Sequence, residues 1–119
     1  MHELILFLLF TKHFIVDFPL QNEYQWSNKG TYLHPGGIIH AILHGIGTFV
    51  CICWFYPSIA IYLALADIVI HYHIDWSKMN LNKKLGWSPT THEQFWWLLG
   101  FDQWLHASTY ILFSWFIWR

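Results

Sequence analysis

Apolar residues run almost unbroken through four stretches of the chain, at about 2–18, 36–56, 58–78 and 93–118, each close to the length that crosses a bilayer as a helix. The first is broken by Pro19, and the second ends at Tyr56-Pro57, where a tight turn through Ser58 leads into the third. QNEYQWSNKGTYLHPGG separates the first from the second. KMNLNKKLGWSPTTHEQ, with Gly86 and Pro89 as breakers, separates the third from the fourth. No internal repeat or low-complexity tract interrupts this order. The pattern predicts an all-α fold, a four-helix transmembrane bundle forming one domain over residues 1–119. The first stretch is short and carries Lys12, so a re-entrant segment also fits it.

The polar residues inside these stretches are not scattered. In the first, His13, Asp17 and Gln21 recur at i, i+4 and i+8, one stripe on one helix face. HAILH sets His40 and His44 on one face of the second. DIVIHYHIDWSK aligns Asp67, His71 and Asp75, with Lys78 close to the same direction, and DQWLHASTY aligns Asp102, His106 and Tyr110. Their levels agree as well. Counted from the end shared by the two long loops, His13 lies about 7 Å in, His40 about 6 Å, His71 about 10 Å and Asp102 about 12 Å. Antiparallel helices can therefore bring them together.

Ionisable groups inside a hydrocarbon layer are costly, and carboxylates gathered there repel one another. A divalent metal relieves both problems, because neutral imidazole and ionised carboxylate are ordinary ligands. His13, Asp17, His40, His44, His71, Asp75, Asp102 and His106 are the candidate ligands, too many for one tetrahedral ion. Two ions, about 3.5–4 Å apart, are expected, with zinc, iron and manganese all compatible with nitrogen and oxygen donors. A proton relay of His and Asp without metal is the competing arrangement. Asp67, a turn deeper, is either a ligand or an outer residue orienting one. Lys78, Gln21, Gln103 and Tyr110 are candidates for contacting substrate, although Lys78 also reads as a snorkelling residue. His73 points away from its stripe, and His2, His34 and His92 fall near ends or loops. Gly47, Cys51 and Ser58 extend the line of His40 and His44 and read as small packing residues.

Composition supports lipid as the solvent. The chain is 55% hydrophobic, 21% aromatic and 11% charged, against about 25% charged for soluble domains. A formal charge of −1 without a basic patch excludes nucleic acid as an expected partner. Lys29 in the first loop and Lys78, Lys83 and Lys84 at the third place both loops in the cytoplasm by the positive-inside rule, with both termini outside. The expected location is the cell inner membrane, multi-pass, with a homo-oligomer compatible with so small a chain. The N-terminus lacks the basic leader and cleavage site of a signal peptide. Cys51 and Cys53 point in different directions on a helix and form no disulfide with each other.

KHFIVDFPLQ, HAILH, HIDWSK and LLGFDQWLH, in that order, resemble the bacterial and phage membrane proteins grouped as domain of unknown function 3307. The resemblance covers almost the whole chain and implies a multi-pass membrane protein. More loosely, the H-x-x-x-D pattern is similar to that of zinc phospholipases and nucleases, and HIDWSK to membrane-bound metal-dependent hydrolases. The function expected is hydrolysis of a lipid-borne ester, most plausibly a phosphoester, at a dinuclear His/Asp site near the cytoplasmic leaflet. A di-iron lipid hydroxylase or desaturase and a metal-ion or proton transporter are the alternatives.

Overall fold

The computed structural model describes residues 2–119. Among them are five helices and no strand: α1 (His2–Asp17), α2 (Glu23–Asn28), α3 (Pro35–Cys53), α4 (Pro57–Leu85) and α5 (Glu93–Ile117). The long helices follow the four apolar stretches. They touch in the order α1–α3, α3–α4, α4–α5 and α5–α1, which closes a ring with α1 and α4 on opposite corners.

Three features depart from the expected plan. The first loop contains α2, which leans on α3. Its start is set by Asn22, whose side chain accepts from the Gln25 backbone N–H at 3.0 Å, satisfying a donor that the first helical turn leaves free. The third apolar stretch does not stop at residue 78. Its helix continues to Leu85 and ends at Gly86, which takes the left-handed conformation (φ 67°) that favours glycine. Lys78, Lys83 and Lys84 therefore ride on α4 and not in a loop. Ser58 belongs to α4, started by Pro57 in its first turn, so it does not extend the α3 stripe.

The α3–α4 pair is the most extensive contact in the ring, and Gly45 explains why it can be close. A Cβ there would run into the Ile68 side chain and come within 3.2 Å of the Ala64 carbonyl oxygen. Gly45→Val is expected to cost about 1–3 kcal/mol through overpacking, read as a lower Tm of the purified protein. Gly100 has open space around it, so Gly100→Ala should instead hold or raise the Tm, since alanine favours a helix by up to about 1 kcal/mol.

The interior is divided lengthwise. At the end where α1 starts, Ile5, Leu9, Ile52, Ala60, Leu63 and Phe113 form an apolar core. At the other end most buried residues are polar, with His40, His44, His71 and His106 all nearly inaccessible. Outside, Phe7, Phe14, Ile46, Leu65, Val69, Ile111 and Phe116 are exposed. Polar inside and apolar outside reverses the usual soluble arrangement. Two helices, α3 and α4, are long and apolar enough to cross a membrane by length and composition.

Candidate metal centre

The centre is built at the end of α1, where Asp17 closes the helix and meets imidazoles from α3 and α4. Asp17 Oδ1 lies 3.0 Å from His40 Nε2, 2.7 Å from His44 Nε2 and 3.8 Å from His71 Nε2. The i, i+4 spacing in α3 makes this convergence possible, because both imidazoles leave the same face. On the other side, Asp75 Oδ2 lies 3.0 Å from His71 Nε2, and Asp75 Oδ1 lies 3.2 Å from His106 Nε2 on α5. Donor atoms of Asp17, His40, His44 and His71 all fall within 4.8 Å of one another, as do those of His71, Asp75 and His106. These buried groups can hold a metal. Ligands around one tetrahedral ion with bonds near 2.1 Å stand about 3.4 Å apart, and the donor pairs here span 2.7–3.8 Å around that value.

Hydrogen bonding among these groups is incomplete in an informative way. His71 is fully buried, yet neither ring nitrogen makes a hydrogen bond, and Asp75 Oδ2 and Asp102 Oδ1 make none either. His71 and Asp75 thus approach to 3.0 Å without the angle of a hydrogen bond. Stacking holds the ring instead, with centroids 3.6 Å from His44 and 3.9 Å from His106. His40 presents the complementary case. Its Nδ1 faces Gln25 Oε1 at 3.1 Å while its Nε2 faces Asp17 and Asp75. A neutral imidazole has one N–H for these two acceptors. A cation between Nε2 and the carboxylates would leave the N–H for Gln25, whereas a turned Gln25 amide that donates to Nδ1 would leave it for the carboxylates.

The remaining candidates surround this core. His13 Nε2 lies 3.0 Å from Asp17 Oδ2 and 2.9 Å from Gln103 Oε1, while its Nδ1 faces the Tyr110 hydroxyl at 2.8 Å. The Gln103 amide donates to Asp102 Oδ2 at 3.1 Å and, more weakly, to Asp17 Oδ2 at 3.4 Å. Asp102 Oδ1 is 3.4 Å from His106 Nε2. His13 and Asp102 therefore flank the two metal-sized groups and brace them. Asp67 is turned the other way, accepting from Lys12 Nζ at 2.8 Å and from the Thr48 hydroxyl at 2.6 Å. Lys12 also donates to Tyr110 and the His44 carbonyl. Gln21 sits beyond the end of α1 and donates to the Asp17 carbonyl at 2.6 Å. Lys78 Nζ stands 3.6 Å from Asp102 Oδ2.

A profile of the family described as protein of unknown function DUF3307 matches residues 5–119, nearly the whole chain. The chain belongs to this family. No curated protein and no solved structure matches it. Membership in DUF3307 carries no activity, so the chemistry has to be argued from the centre itself.

Two residues of this DUF3307 chain reach the centre without having been singled out as site residues. Lys29 Nζ is 3.4 Å from Asp75 Oδ2, and Gln25 holds His40. Both come from the segment around α2, where no apolar period marks a buried side. The one available signal is the Asn22 cap, which fixes a short helix that carries Gln25 inward. Of the other histidines, His34 caps α3 by accepting from the Gly36 N–H at 3.0 Å, and exposed His73 pairs with the Tyr32 hydroxyl.

Proposed function

We propose that this protein is an integral-membrane, metal-dependent hydrolase of a lipid-borne phosphoester. All four long helices cross the bilayer in this reading, with Lys29 and the end of α4 that carries Lys83 on the cytoplasmic side. The apolar outer faces of α1 and α5 support that placement. The observation that carries the reading is the set of buried His71 and Asp75 atoms that crowd together without hydrogen bonds. Native interiors rarely leave such atoms unpartnered.

One ion would be held by Asp17, His40 and His44 and the other by Asp75 and His106, with His71 Nε2 within reach of either and Asp102 beside the second. Divalent cations at these places supply Lewis acidity toward a phosphoryl oxygen and toward water. His13 and Gln103 keep Asp17 oriented, as outer partners do at metal sites. Lys78 and Lys29 neutralise the phosphate. Water adds at phosphorus, the bond from phosphorus to the lipid oxygen breaks, and the lipid alcohol leaves with a proton. The apolar core beyond Asp67 supports a site that opens at one end, in preference to a path through the bundle.

Elemental analysis of the detergent-purified protein is expected to find about two divalent ions per chain. Chelation should abolish turnover of phosphatidylglycerol, phosphatidic acid or polyprenyl phosphate, and one of zinc, manganese or iron should restore it. Absence of turnover with every metal and all three substrates would overturn the hydrolase. Bound iron with visible absorbance would point to oxygen chemistry on a lipid chain instead.

A further inference from the structure

Two cavities meet at Lys78, and their linings differ. The first, about 300 Å³, lies between α4 and α5; Ile74, Leu98, Phe101 and Leu105 form its walls, and Lys78 and Asp102 stand at its edge. The second, about 290 Å³, is also walled by apolar side chains, among them Trp26, Met79 and Phe95, but adds Lys29, Gln21 and Asn82 beside Lys78. Leu98 belongs to both. An apolar trough thus opens into a chamber with two ammonium groups.

That chamber has a second chemical feature. Gln21 Oε1 and Asn82 Oδ1 are buried without a hydrogen-bond partner. Their orientation is set from the other side of each amide. Gln21 Nε2 donates to the Asp17 carbonyl at 2.6 Å and Asn82 Nδ2 to the Trp87 carbonyl at 3.1 Å. Two acceptors at the chamber's wall therefore lack donors, beside two ammonium groups whose present partners are carboxylates of the centre. The lysines stand 3.4 Å from Asp75 and 3.6 Å from Asp102. Cations bound at the centre would compete with the lysines for these carboxylates and leave the two ammoniums for an anion in the chamber.

We infer that this pair of cavities is a bipartite site for a phospholipid, taken laterally between α4 and α5. The chain lies along Leu98, Phe101 and Leu105. The phosphate is held by Lys29 and Lys78. The headgroup beyond the phosphate carries a hydroxyl or amine that donates to Gln21 and Asn82. The inference deepens the hydrolase reading by naming its substrate class: a phosphodiester lipid with a donor-bearing headgroup, as distinct from one whose headgroup offers no N–H or O–H.

Photo-crosslinking tests it without relying on turnover. The metal-loaded protein in nanodiscs is irradiated with phosphatidylglycerol or phosphatidylcholine carrying a diazirine in the chain, and the adducts are mapped. Phosphatidylglycerol adducts are expected on Leu98, Phe101 and Leu105, exceeding those of phosphatidylcholine by about five- to tenfold, the worth of a buried hydrogen bond. Asn82→Leu should narrow that preference, whereas Lys78→Gln should lower capture of both lipids by about tenfold through loss of a charge-assisted contact. Lys29→Gln repeats the test should Lys78→Gln fail to fold. Adducts spread over Phe7, Ile111 and Phe116 on the outer faces would overturn the site. Competition by millimolar inorganic phosphate that abolishes capture would overturn the lipid as its ligand. Capture as described without hydrolysis would refute only the hydrolase, and hydrolysis without mapped capture only this inference.

Discussion

Replacing His71 by leucine should leave the protein folded and unable to hold metal. His71 belongs to both metal-sized groups, so its loss weakens the centre from either side. Removing a direct ligand should exceed the roughly 10–100-fold loss of affinity that follows removal of an outer partner. The fold should tolerate the change, because neither ring nitrogen makes a hydrogen bond that leucine would forfeit. What is lost is stacking against His44 and His106, and leucine restores much of that volume. Thermal unfolding with and without metal gives the readout. A ligand at 100 times its Kd stabilises by about 2.7 kcal/mol, so the wild-type Tm should rise with added metal and that of the variant should not. His73→Leu is the control, two residues along but exposed. Equal metal-dependent shifts in wild type and His71→Leu would mean that the histidine is only a core residue.

The largest loss of stability is expected from Asp67→Ala. Lys12 and Asp67 form an ion pair at 2.8 Å with both side chains almost wholly enclosed. Their other contacts are a hydroxyl from Thr48, a hydroxyl from Tyr110 and the His44 carbonyl. Deleting the carboxylate strands an ammonium in the bundle, and such changes cost about 3–5 kcal/mol. Lys12→Leu combined with Asp67→Leu should cost much less, since neither charge is then left alone. The signature is therefore non-additivity in a double-mutant cycle measured by detergent-denaturant unfolding. Additive effects would show that the two residues do not depend on each other. Lys12 also touches the His44 ring at 3.1 Å, so the single variant should weaken metal binding as well.

How far the sequence foretold this arrangement depended on whether a signal repeats. The i, i+4 polar pairs predicted which faces of the long helices turn inward, and His40, His44, His71 and His106 are all buried there. Level along a helix can be counted from residue numbers. Direction around the bundle axis cannot, because it depends on how the helices pack. That is why His13 and Asp102, correct in level, stand beside the two donor groups, and why Asp67 faces Lys12. The helix around Gln25 is six residues long, too short for any period to show. The extension of α4 to Leu85 was obscured by MNLNKKL, which is polar enough to read as a loop but has no breaker before Gly86.

The uneven ring of helices has a mechanical consequence. Of the six residues in the two donor groups, α3 supplies His40 and His44 and α4 supplies His71 and Asp75, whereas α1 and α5 supply only Asp17 and His106. The hairpin packed closely at Gly45 is thus placed to act as a fixed jaw, and a cation held between the groups would be the clasp that draws the two outer rods onto it.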